Sequence, residues 1–173
     1  LKPLQLVSGV VERRQTLPVL SNVLLQLIES ELSLTGTDLE VELVGRVTVD
    51  QARTSGAVTV PARKLLDICK SLSDDAIIEL SLNENKVTLR SGRSRFTLTT
   101  LPASEFPIVD EEPDTFSITM AQSKLRELLD STSFAMAQQD VRYYLNGMLF
   151  EVSSDYLRVV ATDGHRLAME TLD

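Results

Sequence analysis

A single cysteine, Cys69, and a single histidine, His165, are all the sequence offers of the two residue types on which redox and metal chemistry most often depend. One cysteine excludes an internal disulfide, which fits a reducing cytoplasm. Its neighbours Leu65, Leu66, Ile68 and Leu72 point to a buried, inert thiol. His165 lacks further ligands at any metal-binding spacing, so no metal and no cofactor are expected. Glycine is sparse, and neither a G-x-x-x-x-G-K-S/T loop nor a G-x-G-x-x-G loop is present to cradle phosphates. No apolar run approaches the ~20 residues of a membrane span, so no membrane partner is expected. The opening Leu1-Lys2-Pro3-Leu4 lacks an initiator Met and a basic segment followed by an apolar one, so nothing reads as a signal peptide.

What is present is an ordinary globular composition, 43% hydrophobic and 24% charged. At roughly 100–200 residues per domain, a chain of 173 residues holds one full domain and part of another. The formal net charge of −8 taken alone argues against tight electrostatic binding to DNA. Its distribution qualifies that. Residues 1–14 and 61–72 each sum to +2, leaving −12 on all the others. Two readings fit this sorting, basic surfaces on an acidic body or scattered solvated charges.

Helical periodicity, with apolar residues at i, i+3 and i+4, predicts three helices. Pro61 to Leu72 is the clearest, with Pro61 at the first helical position and an apolar stripe of Ala62, Leu65, Cys69 and Leu72. Leu1 to about Val10 is another, with Leu1, Leu4 and Val7 inward, and Gln122 to about Ala135 is the third, with Leu125, Leu128, Leu129 and Thr132 on one face. Between them the period switches to two, as half-buried strands require. Val23, Leu25 and Leu27 alternate before a turn at Glu29-Ser30, and Leu32 and Leu34 alternate after it. Val41, Leu43, Val47 and Val49 are expected inward on a third strand, followed by Ile78–Leu82, Val87–Leu89 and Phe96–Leu98. Residues 57–101 thus read as strand, helix and three strands, and residues 1–49 as the same unit without its first strand.

A longer repeat lies above this one. Asn22 matches Asn146 at an offset of 124, and past a one-residue insertion Leu32, Leu34 and Thr37-Asp38 match Leu157, Val159 and Thr162-Asp163 at 125. The second copy carries a strand-like Thr115–Thr119 ahead of its helix. By comparison, one strand is expected to be missing ahead of Leu1, and Asp173 to fall before the second copy's own second helix. Pro107, Pro113 and the acids of Ser104–Thr115 read as a linker, with the boundary near Asp110.

No catalytic set is convincing. Asp163-Gly164-His165-Arg166 could be drawn as a proton relay, as a plain turn, or as a charge and an apolar neighbour, Leu167, offered to a peptide. Arg13-Arg14 suits a helix C-terminus electrostatically, or phosphate contact. Arg142, Tyr143 and Tyr144 could stack on bases or start a strand. Arg93 and Arg95 flank Phe96–Leu98 on the last strand of a unit, where an edge invites pairing with another chain.

Thr16–Asn22, Leu34–Glu40, Val60–Lys64, Gly92–Phe96, Asp140–Gly147 and Ala161–Leu167, in this order and spanning nearly the whole chain, resemble the bacterial sliding clamp family, the beta subunit of DNA polymerase III. The resemblance implies an α+β DNA clamp fold of repeated β-α-β-β-β units, with helices on one face of antiparallel sheets. Residues 1–109 would be the N-terminal domain without its first strand, and 110–173 the first part of the central domain. It further implies a non-enzymatic, cytoplasmic processivity factor, a homodimeric ring that encircles and slides along double-stranded DNA. The partners implied are the polymerase III catalytic subunit, the clamp loader, and other polymerases and repair proteins, bound through short peptide motifs. Carried over by position, Arg14, Arg63, Gln139, Tyr143 and Tyr144 resemble DNA-contacting residues. Leu145, Thr162, Gly164, His165, Arg166 and Leu167 resemble half of the partner-peptide pocket, and Lys64, Arg93, Arg95, Phe96 and Leu98 the subunit interface. Two rivals stay open on the residues alone, an α+β protein-interaction module with no DNA role and a hydrolase using Asp163 and His165.

Overall fold

The structure, a computed structural model, describes residues 1–11, 17–108 and 117–172. Arg13, Arg14, Asp110, Thr115 and Phe116 lie outside them. The chain divides into two units, Leu1–Glu111 and Glu112–Asp173.

In the first unit, helix α1 (Lys2–Val7) turns Leu4 and Val7 into the core. It is shorter than the periodicity predicts, because Ser8 and Gly9 are poor helix formers and the Gly9 N–H closes a tighter bond to the Leu6 carbonyl at 3.0 Å. Leu1, expected inward, precedes the helix and is exposed. Strands β1 (Asn22–Ile28), β2 (Glu31–Thr37) and β3 (Glu42–Thr48) follow as a meander. Helix α1 lies so close to this sheet that a Cβ on Gly36 would stand 2.6 Å from the Val7 carbonyl oxygen. Val41, expected inward, lies just outside β3 and is exposed.

Strand β4 (Gly56–Pro61) leads into helix α2 (Ala62–Ser71), and β5 (Glu79–Asn83), β6 (Lys86–Ser91) and β7 (Ser94–Thr99) complete the second half. Pro61 is the residue before the helix and not its first: it ends β4, paired with Asn22, and its ψ of 110° is extended. The periodicity gave no sign of where β4 goes. It pairs antiparallel with β1, so one sheet has the order β3-β2-β1-β4 and the other only β5-β6-β7. One core gathers Leu4 and Val7 of α1, Ala62 and Leu65 of α2 and inward residues of both sheets, including Val23, Leu25, Val60, Val87, Leu89 and Leu98. A fully buried Val or Leu in such a core contributes about 1.5–3 kcal/mol. Leu24 points the other way but is equally buried, under Val19 and Phe106. Leu80 and Leu82 of β5, predicted half-buried by their alternation, are exposed. Cys69 is half-buried against the core, and burial pushes its thiol upward.

In the second unit, helix α3 (Gln122–Thr132) and a 3-10 turn (Ser133–Ala135) together span the predicted segment, with Leu128, Thr132 and Ala135 buried. Strands β8 (Leu149–Val152), β9 (Leu157–Thr162) and β10 (Leu167–Leu172) form a sheet ordered β10-β9-β8. Residues 117–119, the described part of the strand-like segment ahead of α3, are not in a strand. The sequence repeat holds at the level of register: Leu25 stands opposite Leu34 as Phe150 does opposite Val159, and Leu34 opposite Gly45 as Val159 does opposite Glu170. Among the described residues no helix is long and apolar enough to cross a membrane.

Candidate functional site

The residues singled out in the second unit gather where two loops meet. The first runs from Ala137 through a 3-10 turn at Tyr143–Asn146. Asn146 holds it closed: its Oδ1 accepts the Asp140 N–H at 2.9 Å and its Nδ2 donates to the Asp140 carbonyl at 3.0 Å. Gln139, just before this clasp, has a φ of 57°, a left-handed conformation that costs a side-chain-bearing residue energy and that the clasp sustains. Tyr143 and Tyr144 project outward, 82% and 68% exposed, ring edge to ring face at 6.0 Å. Two such rings, unburied and beside Gln139, are free to stack on or flank a ligand.

The second loop is the β9–β10 turn. Thr162 Oγ1 accepts the Gly164 N–H at 3.1 Å and donates to the Arg166 carbonyl at 2.6 Å. Asp163 Oδ1 accepts the N–H groups of His165 and Arg166, each at 2.9 Å, while its Oδ2 takes Arg166 Nε at 2.9 Å. The two backbone N–H groups hold this carboxyl below the ordinary aspartate range, with Arg166 adding to them. A carboxylate so engaged caps a turn and is poorly suited to act as a base toward His165. The first unit builds the same turn: Asp38 Oδ1 accepts from Glu40 at 2.9 Å and Val41 at 2.7 Å, and Leu39 at φ 79° stands where Gly164 stands at φ 89°. The plain-turn reading is therefore correct as far as it goes, and the turn alone does not make a site.

Among the described residues, what distinguishes the second copy is Arg142. Its guanidinium forks onto Asp140, Nε to Oδ1 at 3.0 Å and Nη2 to Oδ2 at 2.8 Å, and Nη2 also reaches the Asp163 carbonyl at 3.4 Å. The Arg142 side chain first, and its backbone N–H second, lower the Asp140 pKa to about 2. The sequence singles out Arg142 only as part of a basic and aromatic cluster with Tyr143 and Tyr144, and Asp140 only as the start of a motif. Opposite charges two residues apart are a usable sequence signal, whereas the reach to Asp163 has none. Around this junction lies an open depression of about 620 Å³, with Gln139, Asp140, Arg142, Asp163, His165 and Arg166 on its wall. Leu145 is half-buried within the first loop, and Leu167, 64% exposed, begins β10.

The remaining predicted residues belong to the first unit. Arg63 and Lys64 are exposed on α2, on the side opposite Ala62 and Leu65. Arg93 and Arg95 are exposed on the β6–β7 hairpin. Phe96, opposite Leu89 of β6, packs partly into the core, and Leu98, opposite Val87, fully, so these two offer a partner mainly the backbone of an edge strand. Arg14 lies outside the described residues. No group of three or more potential metal ligands occurs among the described residues.

Residues 1–110 match the sequence pattern of the DNA polymerase III beta subunit, N-terminal domain, and residues 119–173 that of its central domain. The chain is 68% identical over 173 residues to a protein of Pseudomonas aeruginosa named beta sliding clamp, covering 100% of this chain and 47% of that one. It is 54% identical over 169 residues to the beta sliding clamp of Escherichia coli, covering 98% of this chain and 46% of that one. Among solved structures, the DNA polymerase III subunit beta of Pseudomonas aeruginosa superimposes with a TM-score of 0.92 at 67% identity, over 99% of this chain and 47% of that one. The Caulobacter crescentus pol III beta does so at 0.87 and 39%, over 99% and 47%. The chain spans about half the length of the curated relatives it matches.

Proposed function

The chain belongs to the DNA polymerase III beta subunit family, and from that membership we propose that it is part of a DNA polymerase processivity factor, a ring that encircles duplex DNA and slides on it. Residues 1–109 are the N-terminal domain of the ring subunit and 110–173 the first part of its central domain. The ring is a homodimer in the cytoplasm, has no catalytic role, and tethers the polymerase III catalytic subunit and other proteins through short peptides. The observation that carries this reading is the helix-on-three-strands unit made twice with matching registers, since a closed ring is built by repeating such a unit. Exposed Arg63, Lys64 and Lys70 on α2 supply cations for sequence-independent phosphate contact. Gln139, Tyr143 and Tyr144 extend that contact to the second unit. The depression between the two loops, lined in part by His165 and Arg166, receives one side of the peptide, with Leu145, Thr162, Gly164 and Leu167 completing the site. Lys64, Arg93, Arg95 and the β7 edge meet the second subunit.

A ring holds by topology, so weak contacts suffice for retention and permit sliding. The intact ring, loaded onto closed circular duplex, is expected to stay bound through gel filtration and to be lost when the circle is linearised at equal salt. Equal retention on both forms would refute the ring.

A further inference from the structure

Two features of the second unit are independent of the turn and clasp that shape each loop. Arg142 bonds to both loops at once, as a two-pronged fork on Asp140 and a single contact on the Asp163 carbonyl. Its Nη1 lies where it would meet a Cβ on Gly164 at 3.2 Å, so the guanidinium packs on the turn as well as bonding to it. The first unit closes the equivalent turn on Asp38 and Thr37, and among the described residues no guanidinium is hydrogen-bonded to that turn. In the second unit Thr162 and Asp163 close the turn with the same bonds, so the Arg142 contact is additional to those that shape it.

Resting on the functional reading above, we propose that Arg142 is a positioning residue that ties the Gln139–Arg142 loop to the Thr162–Leu167 turn, so that duplex DNA on the loop raises the affinity of a peptide at the turn. Gln139 is exposed and held at a strained φ of 57°, a conformation that a phosphate contact can favour. Phosphates that fix Gln139 and the adjoining tyrosines order the loop, and the fork passes that order through Arg142 to the carbonyl of Asp163. A peptide then meets a turn already set, and binds with less loss of freedom. By linkage the peptide strengthens DNA contact by the same factor. Lysine cannot replace the arginine, because an ammonium cannot fork onto one carboxylate while reaching a second loop.

The test measures the affinity of a fluorescein-labelled clamp-binding peptide from the polymerase III catalytic subunit for the intact ring, free in solution and loaded on closed circular duplex. Wild type is expected to bind the peptide about threefold more tightly on DNA. In Arg142→Ala, Arg142→Lys and Asp140→Asn the two affinities become equal, with the mass of the dimer and the far-UV spectrum confirming a folded ring. A loss of folding in Arg142→Ala leaves Arg142→Lys and Asp140→Asn to decide. Wild-type affinity that ignores DNA, or a DNA effect that survives in all three variants, overturns the tie while leaving the peptide site intact. A wild-type ring that binds no peptide in either state overturns instead the functional reading of this face, and the tie with it.

Discussion

Replacing Thr59 by valine tests how the end of the first unit is fastened. Thr59 is wholly buried on β4, and its hydroxyl is fully used. It accepts from Asn22 Nδ2 at 2.9 Å and from the Leu101 N–H at 3.2 Å, and it donates to the Leu101 carbonyl at 2.9 Å. Valine has nearly the same shape but none of these bonds. The Leu101 carbonyl keeps the Thr59 N–H at 3.4 Å, while the Asn22 amide, itself 6% exposed, and the Leu101 N–H lose a partner. A buried donor left unpaired costs about 1–3 kcal/mol. With Leu101 nearer the surface and at the low end of that range, the sum is about 2–4 kcal/mol. Thr59→Ser keeps all three bonds and loses one methyl, about 1 kcal/mol. The sequence contains no tryptophan, so urea unfolding is best followed by far-UV circular dichroism. With a slope of roughly 1–2 kcal/mol per molar, the valine variant should unfold about 2 M earlier and the serine variant less than 1 M earlier. A valine variant as stable as the serine variant would refute the argument that these bonds, and not shape, fasten Leu101 to β4.

Two further outcomes follow from the loops. Leu39 is 56% exposed at φ 79°, so Leu39→Gly relieves a left-handed strain of ~1–2 kcal/mol against ~0.5–1 kcal/mol of added chain entropy. The thermal midpoint should rise by about 3 °C, and a fall would show that the leucine side chain contributes to the turn. The second concerns Asp140, whose carboxyl titrates at about 2 when folded and near ~3.9 when unfolded. A depressed folded value means that the Arg142 fork stabilises fully above the unfolded value and is lost as pH falls from about 4 through about 2. Carbon-detected NMR titration should give a midpoint near 2 in wild type and an intermediate value in Arg142→Ala, where the backbone N–H of residue 142 still bonds to the carboxylate; an unchanged midpoint would remove the side chain from the account.

Local periodicity carried most of the architecture, because burial on one face of a helix or strand leaves its mark in neighbouring residues. Leu4 with Val7, Ala62 with Leu65, and Leu128 with Thr132 are buried as their spacing predicts. The repeat survives even in paired residues, as Leu34 and Val159 illustrate. Long-range choices were not legible. Nothing in Gly56–Pro61 says that it will pair with β1, and nothing in Leu80 or Leu82 distinguishes an exposed alternating strand from a buried one. Leu24 breaks its strand's alternation because Phe106, far along the chain, covers it. At the site, the turn and the tyrosines were legible in the residues themselves, and the resemblance supplied only the roles expected of them. The clasp by Asn146 and the fork of Arg142 are matters of side-chain direction, which no spacing encodes.

The exchange of β4 into the first sheet has a topological consequence. Residues 51–55 are exposed and outside any strand or helix, an evident place for a protease to cut. Yet the piece that begins after such a cut carries β4, paired along its whole length with β1 of the other piece, and its Ala62, Leu65, Val87 and Leu89 share a core with Leu4 and Val23. The nicked halves would stay clasped, each completing the other, so the covalent bond between them matters less to the unit's integrity than the crossing of its strands.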